Sequence, residues 1–318
     1  MNTNMRKVWL VMLVCLASFC GRGQSAAPAR ELVQSQVAQE YPGLLELYQH
    51  LHSHPELSFQ EVQSAARVAE ELRKAGCEVT NGVGRGGVVG VLRNGPGPTV
   101  LLRADMDALP VKEQTGLPYA STVTAKDAQG KEVPVMHACG HDIHMTWLVG
   151  AARVLGQIKD QWRGTLVFVG QPGEEAYGGA LGMLKDGLFE RLPHPDFCLA
   201  LHDDAELAAG TVGYTPGYSG ANIDSVDIIV HGVGGHGAAP HKTKDPVVLT
   251  AQIILALQTI ISREVKPGEQ AVVTVGSIHG GTRRNIIPDE VRLQLTVRSY
   301  KEEVRQQTLA AIKRIARG

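Results

Sequence analysis

With 318 residues, 43% of them hydrophobic, the chain is too long for one ordinary core and has apolar material for two. Basic and acidic side chains nearly balance at a net charge of −1, which removes any electrostatic reason to expect nucleic acid or an anionic membrane as partner. A small molecule is the default ligand.

Arg6 and Lys7 precede an apolar run from Val8 to Cys20, shorter than the ~20 residues a membrane span needs, and Ser25-Ala26-Ala27 resembles a cleavage site. Residues 1–27 therefore read as a signal peptide, and the mature protein as periplasmic or secreted, with no membrane anchor. A lipoprotein held through Cys20 is the alternative, disfavoured by the bulky Phe19 before it. Cys15 and Cys20 would leave with the signal, and Cys77, Cys139 and Cys198 do not describe a disulfide framework. Cys77 and Cys198 read as core, which frees Cys139 for another task.

Leu44, Leu47, Tyr48 and Leu51 recur at helical spacing, and His50, His52 and His54 fall at that helix's end before Pro55, where a structural role is expected. Ser58-Phe59-Gln60-Glu61 has the form of a capping box opening a second helix, which Gly76 stops. The glycines from Gly82 to Gly87 miss the spacing of a dinucleotide fingerprint. Gly87 to Leu92 and Thr99 to Arg103 read as neighbouring buried strands joined by the Gly95-Pro96-Gly97-Pro98 turn, with Asp105 and Asp107 just beyond. After a polar loop from about Pro110 to Pro134 comes Met136-His137-Ala138-Cys139-Gly140-His141-Asp142-Ile143-His144-Met145, then a helix from about His144 to Leu155. Strands at Thr165 to Val169 and Phe197 to Leu201 deliver Glu174, Glu175 and His202 past their ends. This grammar predicts an α/β layer whose crevice lies at the carboxyl edge of the sheet.

From about Ile223 the order becomes strand (Ser225 to Val230), helix (Pro246 to Ile261), strand (Ala271 to Ile278), strand (Val291 to Val297) and helix (Glu302 to Ala316). That βαββα order is a split β-α-β unit lacking its final strand. The expected division is therefore 1–27 signal, 28–222 catalytic domain and 223–318 small domain.

A thiol, imidazoles and carboxylates at this density suit a divalent cation. In an extended segment Cys139 and His141 would project to one side and share the ion, with Glu175 and His202 completing the set. Glu174, pointing the opposite way from Glu175, could hold a proton as general base, while Asp105 and Asp107 could orient ligand imidazoles. His236, in the glycine-rich Gly234 to His241 loop, could donate a hydrogen bond to a ligand, or could be incidental at a hairpin tip.

Leu51 to Ser58, Arg103 to Pro110, the Met136 to Met145 run, Pro172 to Glu175, the His236 loop and Gly281 to Pro288 together resemble the M20 metallopeptidases. The resemblance is to the amidohydrolase branch that includes hippurate hydrolase, aminoacylase-like enzymes and plant auxin-conjugate hydrolases. It implies a zinc-peptidase-like α/β catalytic domain with a mixed sheet flanked by helices, plus an inserted ferredoxin-like α+β lid and dimerisation domain, here without its last strand. It further implies two divalent ions (Zn, Mn, Co or Ni) on Cys139, His141, Glu175 and His202, with Glu174 as catalytic base and Asp107 as orienting carboxylate. His236 and Asn285 would contact substrate, commonly across a homodimer. The implied reaction is hydrolysis of the amide of an N-acyl amino acid or related conjugate, with a metallodipeptidase as the near alternative. In that family the chain returns from the lid to the catalytic domain with a last histidine ligand, so a truncated, catalytically silent metal-binding protein is the third expectation. Gly173, where relatives often carry Ala, reads as a minor change.

Overall fold

The computed structural model describes residues 26–318, and the signal-like stretch from Arg6 to Cys20 lies outside the described residues. Two units divide the chain, one running to Glu206 and the other spanning Leu207–Gly318. The boundary falls earlier than the expected 222/223 because the irregular stretch 207–221 groups with the small unit, whose first strand starts only at Asn222.

In the first unit, α1 (Ala26–Ser53) and α2 (Val62–Lys74) precede β1 (Glu78–Val83), β2 (Gly87–Asn94) and β3 (Thr99–Asp105). A hairpin of β4 (Thr124–Lys126) and β5 (Glu132–Pro134) interrupts the stretch read as loop. Next come α3 (His141–Gln157), β6 (Gly164–Gln171), the short α4 (Gly179–Lys185) and α5 (Leu188–Arg191), and β7 (Phe197–Ala200). The five-stranded sheet has the order β1-β2-β6-β3-β7, antiparallel at β1/β2 and β2/β6 and parallel at β6/β3 and β3/β7. On one face, α1, α2 and α3 enclose Leu47, Leu72, Met106, Met145 and Phe168; on the other, Val89, Val167, Val169 and Met183 meet α4 and α5. The sheet is mixed and flanked by helices, as expected.

The expectation that β2 and β3 are neighbours is wrong, because β6 lies between them and pairs with both. The Gly-Pro turn therefore arches over the start of β6, and a Cβ on Gly164 would stand 2.3 Å from the Pro98 carbonyl oxygen. A tight hairpin and an arch over one strand use the same turn residues, so the turn alone could not tell them apart.

The small unit holds β8 (Asn222–His231), β9 (Gly235–His236), α6 (Pro246–Thr259, continued as a π-turn over Ile260–Glu264), β10 (Ala271–Gly280), β11 (Ile286–Ile287), β12 (Glu290–Ser299) and α7 (Glu302–Arg317). Asp245 caps α6 by accepting from the amides of Val247 and Val248, and Pro246 occupies the first turn, where its missing N–H costs nothing. The sheet order β10-β12-β8 is antiparallel throughout, so β12 splits β8 from β10 as in a split β-α-β unit. Leu257, Ile260, Leu293, Val297 and Ile312 pack the helices onto the sheet.

Candidate metal centre

Three adjacent strands, β6, β3 and β7, run parallel, so their carboxyl ends share one edge, with Asp105 opposite Gln171 and Arg103 opposite Ala200. Chain leaving that edge carries Asp107, the Glu174-Glu175 pair and the His202-Asp203 pair. Helix α3 starts beside them. The crevice thus forms where the strand order predicts.

Cys139 and His141 are not in an extended segment. His141 is the first residue of α3, and Gly140 before it is left-handed (φ 74°), which turns the chain sharply into the helix. A Cβ on Gly140 would meet the Asp203 carboxylate at 2.2 Å, so glycine is required twice over. The two side chains still face a common point: ligand atoms of Cys139, His141 and His202 lie within 4.8 Å of one another, and so do those of His141, Glu174 and Glu175. Cys139 Sγ is 3.4 Å from His202 Nε2, and His141 Nε2 is 3.9 Å from Glu175 Oε1.

Both His141 ring nitrogens, Glu175 Oε1 and Asp107 Oδ1 are buried without a hydrogen-bond partner. Such groups are costly unless a cation satisfies them, and a thiol, imidazoles and carboxylates form a donor set that a divalent transition ion suits. Burial, followed by the neighbouring Glu175, pushes the Cys139 thiol up to about 12; a cation's charge would reverse that and favour the thiolate. Asp107 Oδ1 stands 3.3 Å from His141 Nδ1, while its Oδ2 accepts from Ser58 Oγ (2.6 Å) and the Glu175 amide (2.9 Å). Burial opposes its ionisation, but these partners outweigh burial and hold its pKa low.

His144, not singled out from sequence as a site residue, is 2% exposed and shares a helix face with His141 at a spacing of three. Its Nδ1 pairs with Asp105 Oδ1 (2.5 Å), and its Nε2 faces Asp203 through both the carboxylate (Oδ1, 3.0 Å) and the backbone amide (3.2 Å). That spacing was the available signal. Asp105 is also paired with Arg103 at 2.9 Å. Burial would raise its pKa, but His144 and Arg103 hold it at about 2. His137 is buried with neither nitrogen partnered, and burial lowers its pKa to about 4.

His52 is structural, as expected, and charged: its Nδ1 donates to Asp142 Oδ2 (2.6 Å) and its Nε2 to Glu113 Oε1 (3.1 Å). Cys77 is buried, but Cys198 is exposed on β7, at the edge of the sheet. The core reading of Cys198 fails because all four β7 residues are exposed, a property of the edge and not of the strand's composition.

The capping box also fails. Glu61 occupies the N-cap position of α2 but makes no side-chain cap; Ser58 goes to Asp107 and Glu61 Oε1 to the Gly173 amide at 2.7 Å. Nor is Gly173 incidental, since its φ is +56° and a Cβ there would meet the Phe59 ring at 2.4 Å. In the small unit, β9 pairs with β11 so that His236 stands opposite Ile286, and the Gly237 amide donates to the Asn285 carbonyl at 2.8 Å. His236 and Asn285 therefore share one ribbon.

Residues 101–300 match the model of Peptidase family M20/M25/M40. The chain belongs to this family. This M20 chain is 40% identical over 265 residues to the N-acetyl-L-cysteine deacetylase of Bacillus subtilis, covering 83% of itself and 61% of that protein. It is 42% identical to the hippurate hydrolase of Campylobacter jejuni, covering 84% of itself and 67% of the relative. Among solved structures, a protein of methicillin-resistant Staphylococcus aureus superposes with a TM-score of 0.82 at 35% identity, covering 91% of this chain and 74% of that one. The Bacillus subtilis YXEP protein, a dinuclear metal-binding peptidase of the M20 family, gives 0.71 at 32% identity over 89% and 70% of the two chains.

Proposed function

We propose that this M20 protein is a metal-dependent amidohydrolase that cleaves the amide of N-acyl amino acids or related conjugates. The observation that carries the reading is the meeting of unpartnered His141 and Glu175 atoms with Cys139 and His202, with Glu174 alongside. The deacetylase and hippurate hydrolase relatives support the substrate class.

Cys139, His141, Glu175 and His202 would hold two divalent ions. Bound there, such ions supply Lewis acidity, lowering the pKa of water and polarising an amide carbonyl. Glu174 takes the proton of the attacking water and returns it to the departing nitrogen. In the metal-free protein burial first, then the charges of Glu175 and Asp105, raises its pKa. Asp107 orients His141, and Arg103 with His144 fixes Asp105. The family resemblance assigns His236 and Asn285 to the substrate as contacts supplied by the second copy of a homodimer, His236 to the developing oxyanion and Asn285 to the substrate carboxylate.

The protein is exported on its N-terminal signal and pairs with a second copy through the small unit. Two features support pairing: β8 is hydrogen-bonded on one side only, and α6 exposes Val247, Val248 and Leu255.

Purified protein given Mn²⁺, Zn²⁺, Co²⁺ or Ni²⁺ is expected to release amino acid from N-acetyl or N-benzoyl substrates, followed by amine detection. Absence of turnover with every ion on every substrate would reject the reading.

A further inference from the structure

We propose that Glu61 and Ser58 are positioning residues that clamp the Pro172–Glu175 loop and so set the aim of Glu174 and Glu175. The proposal rests on the roles given above to those two carboxylates. The loop has no regular structure to hold it. It leaves β6 through Gly173 at φ +56° and continues through Tyr177 at +52° and Gly178 at +116°.

Two of its amides are held from outside, Gly173 N–H by Glu61 Oε1 (2.7 Å) and Glu175 N–H by Asp107 Oδ2 (2.9 Å). Ser58 Oγ donates to that same Asp107 oxygen at 2.6 Å, so both holds trace back to one short turn, Ser58 to Glu61. The turn is built for this at a cost. Phe59 is left-handed (φ +63°), an unfavourable conformation for an aromatic residue, and it lays its ring over the space a Gly173 side chain would fill. Arg85 covers that ring at 4.1 Å.

Glu61 is 5% exposed, a carboxylate buried to meet a backbone amide. At the start of α2 its side chain has no capping duty, because Glu56 already accepts from the Gln63 amide (3.0 Å) and the Ser64 amide (2.8 Å). The helix is served by one acidic residue and the loop by the other.

The test compares Glu61→Gln, which keeps an acceptor oxygen, with Glu61→Ala, which removes it, and adds Ser58→Ala. Mn²⁺ affinity is measured by calorimetric titration of the full chain, and amide hydrogen exchange at Gly173 and Glu175 is measured metal-free, with melting temperature as the control for folding. Glu61→Ala is expected to weaken Mn²⁺ binding about 10- to 100-fold and speed both amides, Ser58→Ala to act in the same direction at Glu175, and Glu61→Gln to stay within about 3-fold of wild type. Wild-type affinity in Glu61→Ala, or equal damage in Glu61→Gln and Glu61→Ala, would overturn the clamp. Should Glu61→Ala not fold, an unchanged Glu175 amide and Mn²⁺ affinity in Ser58→Ala would overturn it as well. If the wild type itself binds no Mn²⁺, the metal reading fails, while the metal-free exchange rates still decide the clamp.

Discussion

Glu174 and Glu175 are neighbours in sequence to which the proposed function assigns different tasks. Glu174→Gln keeps the shape and loses the proton acceptor, so turnover is expected to fall by about 10²- to 10⁴-fold while bound metal, measured by elemental analysis, stays at the wild-type level. Near-normal turnover would remove Glu174 from its role. His144 acts at one remove, tying Asp105 to the turn that carries His202 and Asp203. His144→Ala frees that turn, and a loss of about 10- to 100-fold in Mn²⁺ affinity is expected by titration. Unchanged affinity would show that the turn holds itself. The chemistry of the metal-centre residues was legible in the sequence because ligand type belongs to the residue. The partner of His144 was not, since Asp105 lies 39 positions away on another element.

At the scale of elements, α2 meets α3 through a buried carboxylate. Glu71 is 1% exposed, bonded to Arg67 Nε (3.0 Å) and to the half-buried Arg153 of α3, which also reaches Glu40 of α1 at 3.1 Å. These partners outweigh burial and lower its pKa. Glu71→Ala leaves Arg153 short of a counter-charge and is expected to cost about 3 kcal/mol in urea denaturation, whereas Glu70→Ala, on the exposed side of the same helix, should cost less than ~1 kcal/mol. Equal losses would refute a buried link. Periodicity located α2, the βαββα order of the small unit and the start of α6, because each depends on residues within a few turns of one another. It could not place β6 between β2 and β3, where the pairing partners are distant in sequence.

Across the first unit, His52 joins α1, the loop bearing Glu113 and the start of α3 at Asp142, with Tyr48 and Tyr119 against its ring. The Asp142 hydrogen bond is the main cause that raises its pKa from 6.5 to about 9, helped by Glu113 and opposed by burial. The folded protein therefore holds this proton more tightly than the unfolded chain does. The stabilisation is complete below pH 6.5 and is lost as pH rises through 9. In metal-free protein, denaturation midpoints should fall across that window, and His52→Gln should flatten the fall; an unchanged slope in the variant would assign the effect elsewhere.

By itself the sequence determined the ligand types, the class of fold, the order of the longer helices and of most of the longer strands, and the kinship with M20 peptidases, all of which rest on local pattern and on residue chemistry. Only the tertiary structure decided which strands are neighbours, that Cys198 is exposed, that Ser58 and Glu61 leave the helix they seemed placed to cap, and that Gly173 faces Phe59. Glu61 and the amide it holds are 112 residues apart. A side chain's partner is chosen by what packing brings within 3 Å of it, and short-range spacing carries no record of that choice.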